Sequence, residues 1–208
     1  MKTIGLIGGM SWESTVPYYQ TINRAVSRRL GGLHSATIAL YSVDFDEIEK
    51  LQHAGEWEQS GAILAEAARA VRRAGADVIV LCTNTMHKVA PQIEAAVDVP
   101  LLHIADATAE RVRAAGVARV GLLGTRFTME EDFYRGRLQS RHGLEVLTPP
   151  AEQRALVHGV IYGELCLGRV LDDSRKAFQQ VVTDLVARGA QGVILGCTEI
   201  GLLLRPED

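Results

Sequence analysis

The sequence Val78-Ile-Val-Leu-Cys-Thr83 is a short apolar run that ends on a cysteine and a threonine, and Val193-Ile-Leu-Gly-Cys-Thr198 has nearly the same form. Such runs are typical of strands buried on both faces of a parallel sheet. The stretch Ile4-Gly-Leu-Ile-Gly8 likewise resembles Val120-Gly-Leu-Leu-Gly124. The members of each pair are separated by 115 or 116 residues. This common spacing predicts that the chain is a duplicated α/β domain.

Strand-like runs alternate with segments of helical period from end to end. The expected strands are Thr3–Ile7, Thr37–Val43, Asp77–Leu81, Leu101–Ile104, Arg119–Leu123, Leu144–Leu147 and Gly192–Leu195. Apolar residues recur at helical spacing before Gly75 and again before Gly189, so we expect these glycines to cap helices that lead into strands. This alternation is typical of α/β proteins with parallel sheets.

The duplication predicts two pseudo-symmetric, doubly wound α/β domains, residues 1–100 and 101–208. Ligands in such sheets bind outside the carboxyl ends of the strands. We therefore expect the active site in the cleft between the domains, where Cys82 and Cys197 would face each other.

The composition restricts the class of protein. With 47% hydrophobic and 23% charged residues, the chain is expected to fold as a soluble protein. A formal net charge of −3 provides no basic field for nucleic acid or anionic lipid. No apolar run approaches the roughly 18 residues that a membrane span needs. We expect a cytoplasmic protein with no nucleic-acid or membrane partner.

The cysteines form neither a Cys-x-x-Cys pair nor the spacing of a zinc site, so we expect reduced thiols and no structural metal. Cys82 and Cys197 both stand at predicted strand-to-helix junctions, where a helix dipole favours the reactive thiolate. Cys166 is expected to be a buried filler. A buried structural role is the alternative for either junction cysteine alone, but the symmetric placement of two favours a site. Two acid/base groups on opposite faces of one carbon are what stereoinversion needs.

Four motifs resemble the aspartate/glutamate/hydantoin racemase superfamily, and most of all its broad-specificity amino-acid racemase branch. They are Gly5-Leu-Ile-Gly-Gly-Met-Ser-Trp-Glu-Ser-Thr15, Leu81-Cys-Thr-Asn-Thr-Met-His87, Gly121-Leu-Leu-Gly-Thr125 and Gly196-Cys-Thr-Glu199. The resemblance implies a racemase, usually a homodimer, that acts on a small-molecule amino-acid substrate without a cofactor or a metal. It also implies that Cys82 and Cys197 are the paired acid/base residues.

The same resemblance implies which residues would hold the substrate. Its carboxylate and amino group would be bound by Met10, Ser11, Asn84, Thr85, Thr125 and Thr198. Thr83 and Glu199, each close to one of the cysteines, would support the site. His87 and His103 are either further supporting residues or packed side chains.

Two segments depart from the pattern of strict aspartate racemases, which carry a basic residue in each. Ser42-Val-Asp-Phe-Asp-Glu47 and Ile161-Tyr-Gly-Glu-Leu-Cys-Leu-Gly168 contain neither lysine nor arginine. A substrate's second carboxylate would lack a charged partner, and an unpaired buried anion is costly. Uncharged or polar amino acids are therefore favoured, with aspartate and glutamate not excluded. Superfamily members also continue through a further strand and helix beyond the point where this sequence ends, at Arg205-Pro-Glu-Asp208.

Two alternatives remain open at the level of the sequence. One is a maleate-isomerase-like or decarboxylase-like enzyme, in which a cysteine attacks carbon or protonates an intermediate. The other is a catalytically silent protein that binds a small molecule. Exchange of the substrate Cα–H with solvent distinguishes the racemase from both.

Overall fold

The computed structural model describes residues 1–205, so Pro206, Glu207 and Asp208 at the end of the expected second domain lie outside the described residues. The chain divides into two compact units, Met1–His103 and a second unit that begins at Ile104. Within the described part of the chain, no helix has the length and apolar character needed to cross a membrane.

The first unit is a parallel α/β structure. Its elements are β1 (Ile4–Gly8), α1 (Trp12–Leu30), β2 (Ile38–Ser42), α2 (Phe45–Ala54), α3 (Trp57–Arg73), β3 (Val78–Leu81), a 3₁₀ helix (Thr85–Val89), α4 (Ala90–Ala96) and β4 (Leu101–Leu102). The strands form a parallel sheet in the order β2-β1-β3-β4. The central strands β1 and β3 are therefore neighbours, and their carboxyl ends lie at the same edge of the sheet.

The second unit repeats this arrangement with three described strands. Its elements are α5 (Ile104–Ala114), β5 (Arg119–Gly124), α6 (Arg126–Glu130), α7 (Arg135–His142), β6 (Glu145–Leu147), α8 (Ala151–Gly163), a 3₁₀ helix (Leu165–Leu167), α9 (Asp172–Ala187), β7 (Gly192–Gly196) and α10 (Ile200–Leu203). The strands are parallel in the order β6-β5-β7. The strand β5 thus takes the position of β1, and β7 takes that of β3.

Apolar side chains cover the faces of each sheet. In the second unit, Val120 and Leu122 belong to one buried cluster and Leu123 to another, because successive side chains of a strand point to opposite faces. A glycine on each central strand allows a helix to approach closely. A Cβ atom on Gly5 would lie 2.9 Å from Val71 of α3, and one on Gly121 would lie 2.9 Å from Leu185 of α9. The two units thus share a detail of packing as well as topology.

The structure confirms the predicted parallel α/β fold, and each of the expected strands is present with small shifts at the ends. The expected strand Leu101–Ile104 is wrong at its end, because only Leu101–Leu102 pairs with β3 and Ile104 begins α5. Gly75 and Gly189 each follow the C-cap residue of a helix, two residues beyond its last helical position, and have φ angles of 95° and 97°. They end α3 and α9 by the left-handed backbone conformation that glycine adopts most readily.

Candidate active site

In the first unit, Cys82 lies directly beside the turn that follows β1. Ile7 is paired with Leu81 in the parallel register, and the Cys82 N–H donates to the Ile7 carbonyl at 2.8 Å. The turn is tight: Gly9 has a φ of 94°, and a Cβ atom on it would lie 2.2 Å from the Val43 carbonyl oxygen. The backbone therefore needs glycine here in order to bring the start of α1 next to the cysteine.

Three buried hydroxyl groups occupy this turn. Ser11 is the N-cap of α1, and its Oγ lies 3.3 Å from Ser14 Oγ. Thr15 Oγ1 donates to the Ser11 carbonyl at 3.0 Å and accepts from the Gly9 N–H at 2.9 Å. The side chain of Met10 is buried in the same turn. A preorganised set of polar groups thus lies at the strand end that adjoins Cys82.

The segment after Cys82 is also buried. Thr83, Asn84 and Thr85 are each less than a tenth exposed and connect β3 to the 3₁₀ helix Thr85–Val89. His87 Nδ1 lies 2.7 Å from the Thr83 carbonyl oxygen, which ties that helix back to the residue after Cys82. The ring centroids of His87 and His103, two buried side chains, are 4.5 Å apart. His87 therefore packs against the segment that follows Cys82, and His103 packs against His87.

The second unit repeats the arrangement around Cys197. Gly124 is paired with Gly196, so the residues that follow them, Thr125 and Cys197, leave adjacent strands at the same edge. Thr125 is the N-cap of α6, and its Oγ1 lies 3.2 Å from Thr128 Oγ1. Each unit therefore places a cysteine beside a buried pair of hydroxyl groups at the start of a helix.

Cys197 is followed two residues later by Glu199, whereas the corresponding residue after Cys82 is Asn84. The Cys197 thiol donates to Glu199 Oε2 at 3.0 Å, and the glutamate is itself buried. A carboxylate at this distance is placed to accept the thiol proton. The neighbouring Thr198 side chain, in contrast, is exposed.

The expectation that the strand-to-helix junctions favour thiolates is wrong. Burial raises the pKa of the Cys82 thiol to about 12. Burial and, after it, the negative charge of Glu199 raise the pKa of Cys197 well above its usual range. The following helices are a 3₁₀ segment and the four-residue α10, so little dipole is present to oppose this desolvation. Both thiols are therefore protonated at neutral pH.

The expected site residues fall into two groups, one at the strand ends of each unit. Met10, Ser11, Cys82, Thr83, Asn84 and Thr85 gather in the first unit, and Thr125, Cys197, Thr198 and Glu199 gather in the second. The sequence reasoning missed the hydroxyl partners Ser14, Thr15 and Thr128. The repeated spacing of a hydroxyl residue and another three positions later, typical of a helix N-cap, was a signal that would have found two of them.

These features define a class of protein with two parallel α/β units, each carrying a cysteine and a hydroxyl-capped helix at its sheet edge. Residues 7–208 match the model of the Asp/Glu/Hydantoin racemase family. The chain therefore belongs to that family, which confirms the resemblance found in its motifs and places it among the isomerases.

Individual relatives agree with this assignment. The chain is 58% identical to a protein from Yersinia pestis provisionally called an Asp/Glu racemase, whose crystal structure superposes with a TM-score of 0.92 over 100% of this chain and 90% of the other. It is 36% identical to an aspartate racemase homologue from Pyrococcus horikoshii OT3, with a TM-score of 0.81 and the same coverage. It is also 24% identical to the broad specificity amino-acid racemase RacX of Bacillus subtilis (strain 168), over 97% of this chain and 87% of the relative.

Proposed function

We propose that the protein is a cofactor-independent amino-acid racemase that moves a proton at Cα between two thiols, Cys82 and Cys197. The observation that carries the proposal is the repetition: each unit has one buried cysteine directly after a strand, β3 beside β1 in the first unit and β7 beside β5 in the second. Family membership supports the racemase activity. The site would lie between the proposed domains 1–100 and 101–208, with one sulfur on each face of the substrate.

In this mechanism one sulfur removes the Cα proton and the other returns a proton to the opposite face. Between these events the substrate is a planar, carbanion-like species whose charge extends onto its carboxylate. Hydroxyl and amide groups of Ser11, Asn84, Thr85, Thr125 and Thr198 would bind that carboxylate and the amino group, with Met10 packing beside them. Donors fixed in advance stabilise such charge better than water does, because they need no reorganisation.

The raised thiol pKa values determine how the base would form. A protonated thiol cannot remove a proton, so one thiol must first lose its own. Glu199 is suited to take the proton of Cys197, since its Oε2 already accepts the hydrogen bond from that thiol at 3.0 Å. A bound ammonium group near the sulfurs would further favour thiolate, because an opposite charge stabilises it. Thr83 would hold the Cys82 segment through its hydrogen bond with His87.

For the substrate we propose uncharged or polar amino acids as the main class, with aspartate and glutamate as further substrates. The segments 42–47 and 161–168 contain no lysine or arginine to pair with a second carboxylate. Similarity to a relative named for broad specificity supports the same choice. We further propose that the protein is a homodimer and that it is located in the cytoplasm. A monomeric mass in sedimentation equilibrium at micromolar concentration would contradict the proposed dimer.

The activity is tested by incubating the protein with single L-amino acids in D₂O without pyridoxal phosphate. Loss of the Cα–H signal in NMR is followed together with chiral chromatography of the product. We expect exchange accompanied by the D-enantiomer for several uncharged or polar amino acids. Heat-denatured protein provides the control for spontaneous exchange.

Absence of exchange across the panel, with the fold intact, would contradict the proposal. Conversion of a double-bond diacid or decarboxylation of a malonate instead would favour the two related enzyme classes. Stabilisation of the fold by an amino acid without exchange would favour a binding protein.

A further inference from the structure

The third cysteine of the chain lies against the apolar cluster that contains Cys197. Cys166 is the central residue of the 3₁₀ helix Leu165–Leu167 and is partly buried on this cluster. The 3₁₀ helix packs against α10, which begins three residues after Cys197. The two sulfurs therefore belong to one small region of the second unit.

The pKa of Cys197 also reflects the presence of Cys166 in this region. Besides burial and Glu199, the charge of Cys166 also raises the pKa of Cys197. The interaction between two charges weakens as their separation grows, so this contribution agrees with the packing of Cys166 against the cluster that contains Cys197.

The segment that carries Cys166 is held in place at its start. Ser174 Oγ donates to Glu164 Oε2 at 2.6 Å, which connects the beginning of the turn to α9. The Arg169 N–H donates to the Glu164 carbonyl at 2.9 Å and closes the turn. The sulfur of Cys166 is thus presented to the Cys197 cluster by a hydrogen-bonded turn rather than by a free loop.

From this placement we propose that Cys166 is a redox site. When a peroxide oxidises the protein, Cys166 forms an intramolecular disulfide bond with Cys197 and reversibly blocks it. The effect on activity rests on the proposed role of Cys197 as a proton carrier, because a sulfur held in a disulfide cannot carry a proton. The formation of the bond itself does not depend on that role.

The chemistry balances with one peroxide for each disulfide. Cys166 is the less buried residue of the two, and its sulfur attacks a peroxide oxygen; the O–O bond breaks, an S–O bond forms, and one water leaves with the thiol proton. The Cys197 sulfur then attacks the resulting sulfenic acid, so that the S–S bond forms, the S–O bond breaks and a second water carries away the thiol proton. Two thiols lose two electrons together, and the peroxide gains them. A dithiol reductant reverses the change.

The test uses the full chain, fully reduced and then treated with hydrogen peroxide. Free thiols are alkylated, the protein is digested without reductant, and linked peptides are identified by mass spectrometry. Racemase activity is measured on the same samples before and after dithiothreitol. We expect a peptide pair joined through Cys166 and Cys197, a loss of activity of at least tenfold, and its recovery on reduction.

Cys166→Ala is the matched variant, and Cys166→Ser repeats the test with nearly the original volume in case alanine disturbs the packing. Both variants should have the parent activity before oxidation. After peroxide treatment, neither should show a loss of activity that dithiothreitol restores. Oxidation of Cys166 with Cys197 still free would overturn the proposal, and so would a link from Cys82 to Cys197. A Cys166–Cys197 link in a protein without racemase activity would support the redox site and contradict the proposed function.

Discussion

At the scale of single residues, the two proposed proton carriers differ in their surroundings. Cys197 donates a hydrogen bond to a buried carboxylate, whereas the Cys82 sulfur lies 3.9 Å from the Val80 carbonyl oxygen of its own strand. Desolvation alone raises the pKa of Cys82. Cys197 therefore has a route by which its proton can leave, and the two half-reactions need not proceed at equal rates.

The substitution Glu199→Gln tests this route. Glutamine keeps the size and polarity of the side chain but accepts a proton poorly, so we expect kcat to fall by roughly one hundredfold, at the lower end of acid–base contributions. The KM should change much less, and the rise of activity with pH should move to lower pH, because glutamine removes the negative charge by which Glu199 raises the pKa of Cys197. The measurement is the pH dependence of kcat and KM. Glu94→Gln, at an exposed carboxylate of α4, is the control; parent kcat in Glu199→Gln would exclude the route.

The raised pKa of Cys82 also predicts a loss of stability in alkaline solution. Above about pH 9 the thiol ionises in the unfolded chain but stays protonated in the folded chain, where its pKa is about 12. The free energy of unfolding therefore decreases through this window, by about 1.4 kcal/mol for each pH unit. Denaturant unfolding between pH 9 and 10.5 should show this slope in the parent and a smaller one in Cys82→Ala. Equal slopes would contradict the assignment.

At the scale of elements, the turn from β1 into α1 determines where the first group of site residues lies. Its backbone passes so close to Val43 that a side chain at Gly9 has no space. The hydroxyls of Ser11 and Thr15 then fix the first turn of the helix. The position of the residues proposed to bind substrate thus depends on the close backbone approach that glycine permits at position 9.

Gly9→Ala should therefore lower the free energy of unfolding by more than the backbone strain at a positive φ, because the added Cβ atom also clashes with Val43. Gly75 is a matched control, because its φ of 95° nearly equals the 94° of Gly9 and no atom lies within 4 Å of the added Cβ. We expect Gly75→Ala to cost about 1 kcal/mol of unfolding free energy from backbone strain. Gly9→Ala should cost about 3 kcal/mol or more, since overpacking adds to that strain. Chemical denaturation measures both, and equal costs would show that the close approach is unimportant.

At the scale of the whole molecule, the chain repeats one design twice. Each unit has a central strand with a glycine against a packed helix, a hydroxyl-capped helix after that strand, and a cysteine after the neighbouring strand. Residues 115 or 116 positions apart take corresponding places, as Cys82 and Cys197 do. A reaction that needs one acid/base group on each face of a carbon is suited to such a duplication.

The repeat and the parallel α/β fold could be predicted from the sequence because buried strands are continuous apolar runs. The end of β4 could not, because Ile104 is apolar in either state; it begins α5, and only Leu101 and Leu102 pair with β3. The thiol pKa values could not be predicted either. Local position suggested stabilised thiolates, whereas burial of Cys82 and Cys197 by distant parts of the chain has the opposite and larger effect.

The most direct test of the two-thiol account is to measure racemisation and Cα–H exchange in D₂O for Cys82→Ala and Cys197→Ala separately, with Cys166→Ala as the control. One remaining sulfur can serve only one face, so we expect each of the first two variants to lose racemisation in both directions by about a thousandfold or more. Cys166→Ala should keep the parent rate. If either Cys82→Ala or Cys197→Ala still interconverted enantiomers at the parent rate, the two-thiol mechanism would be wrong.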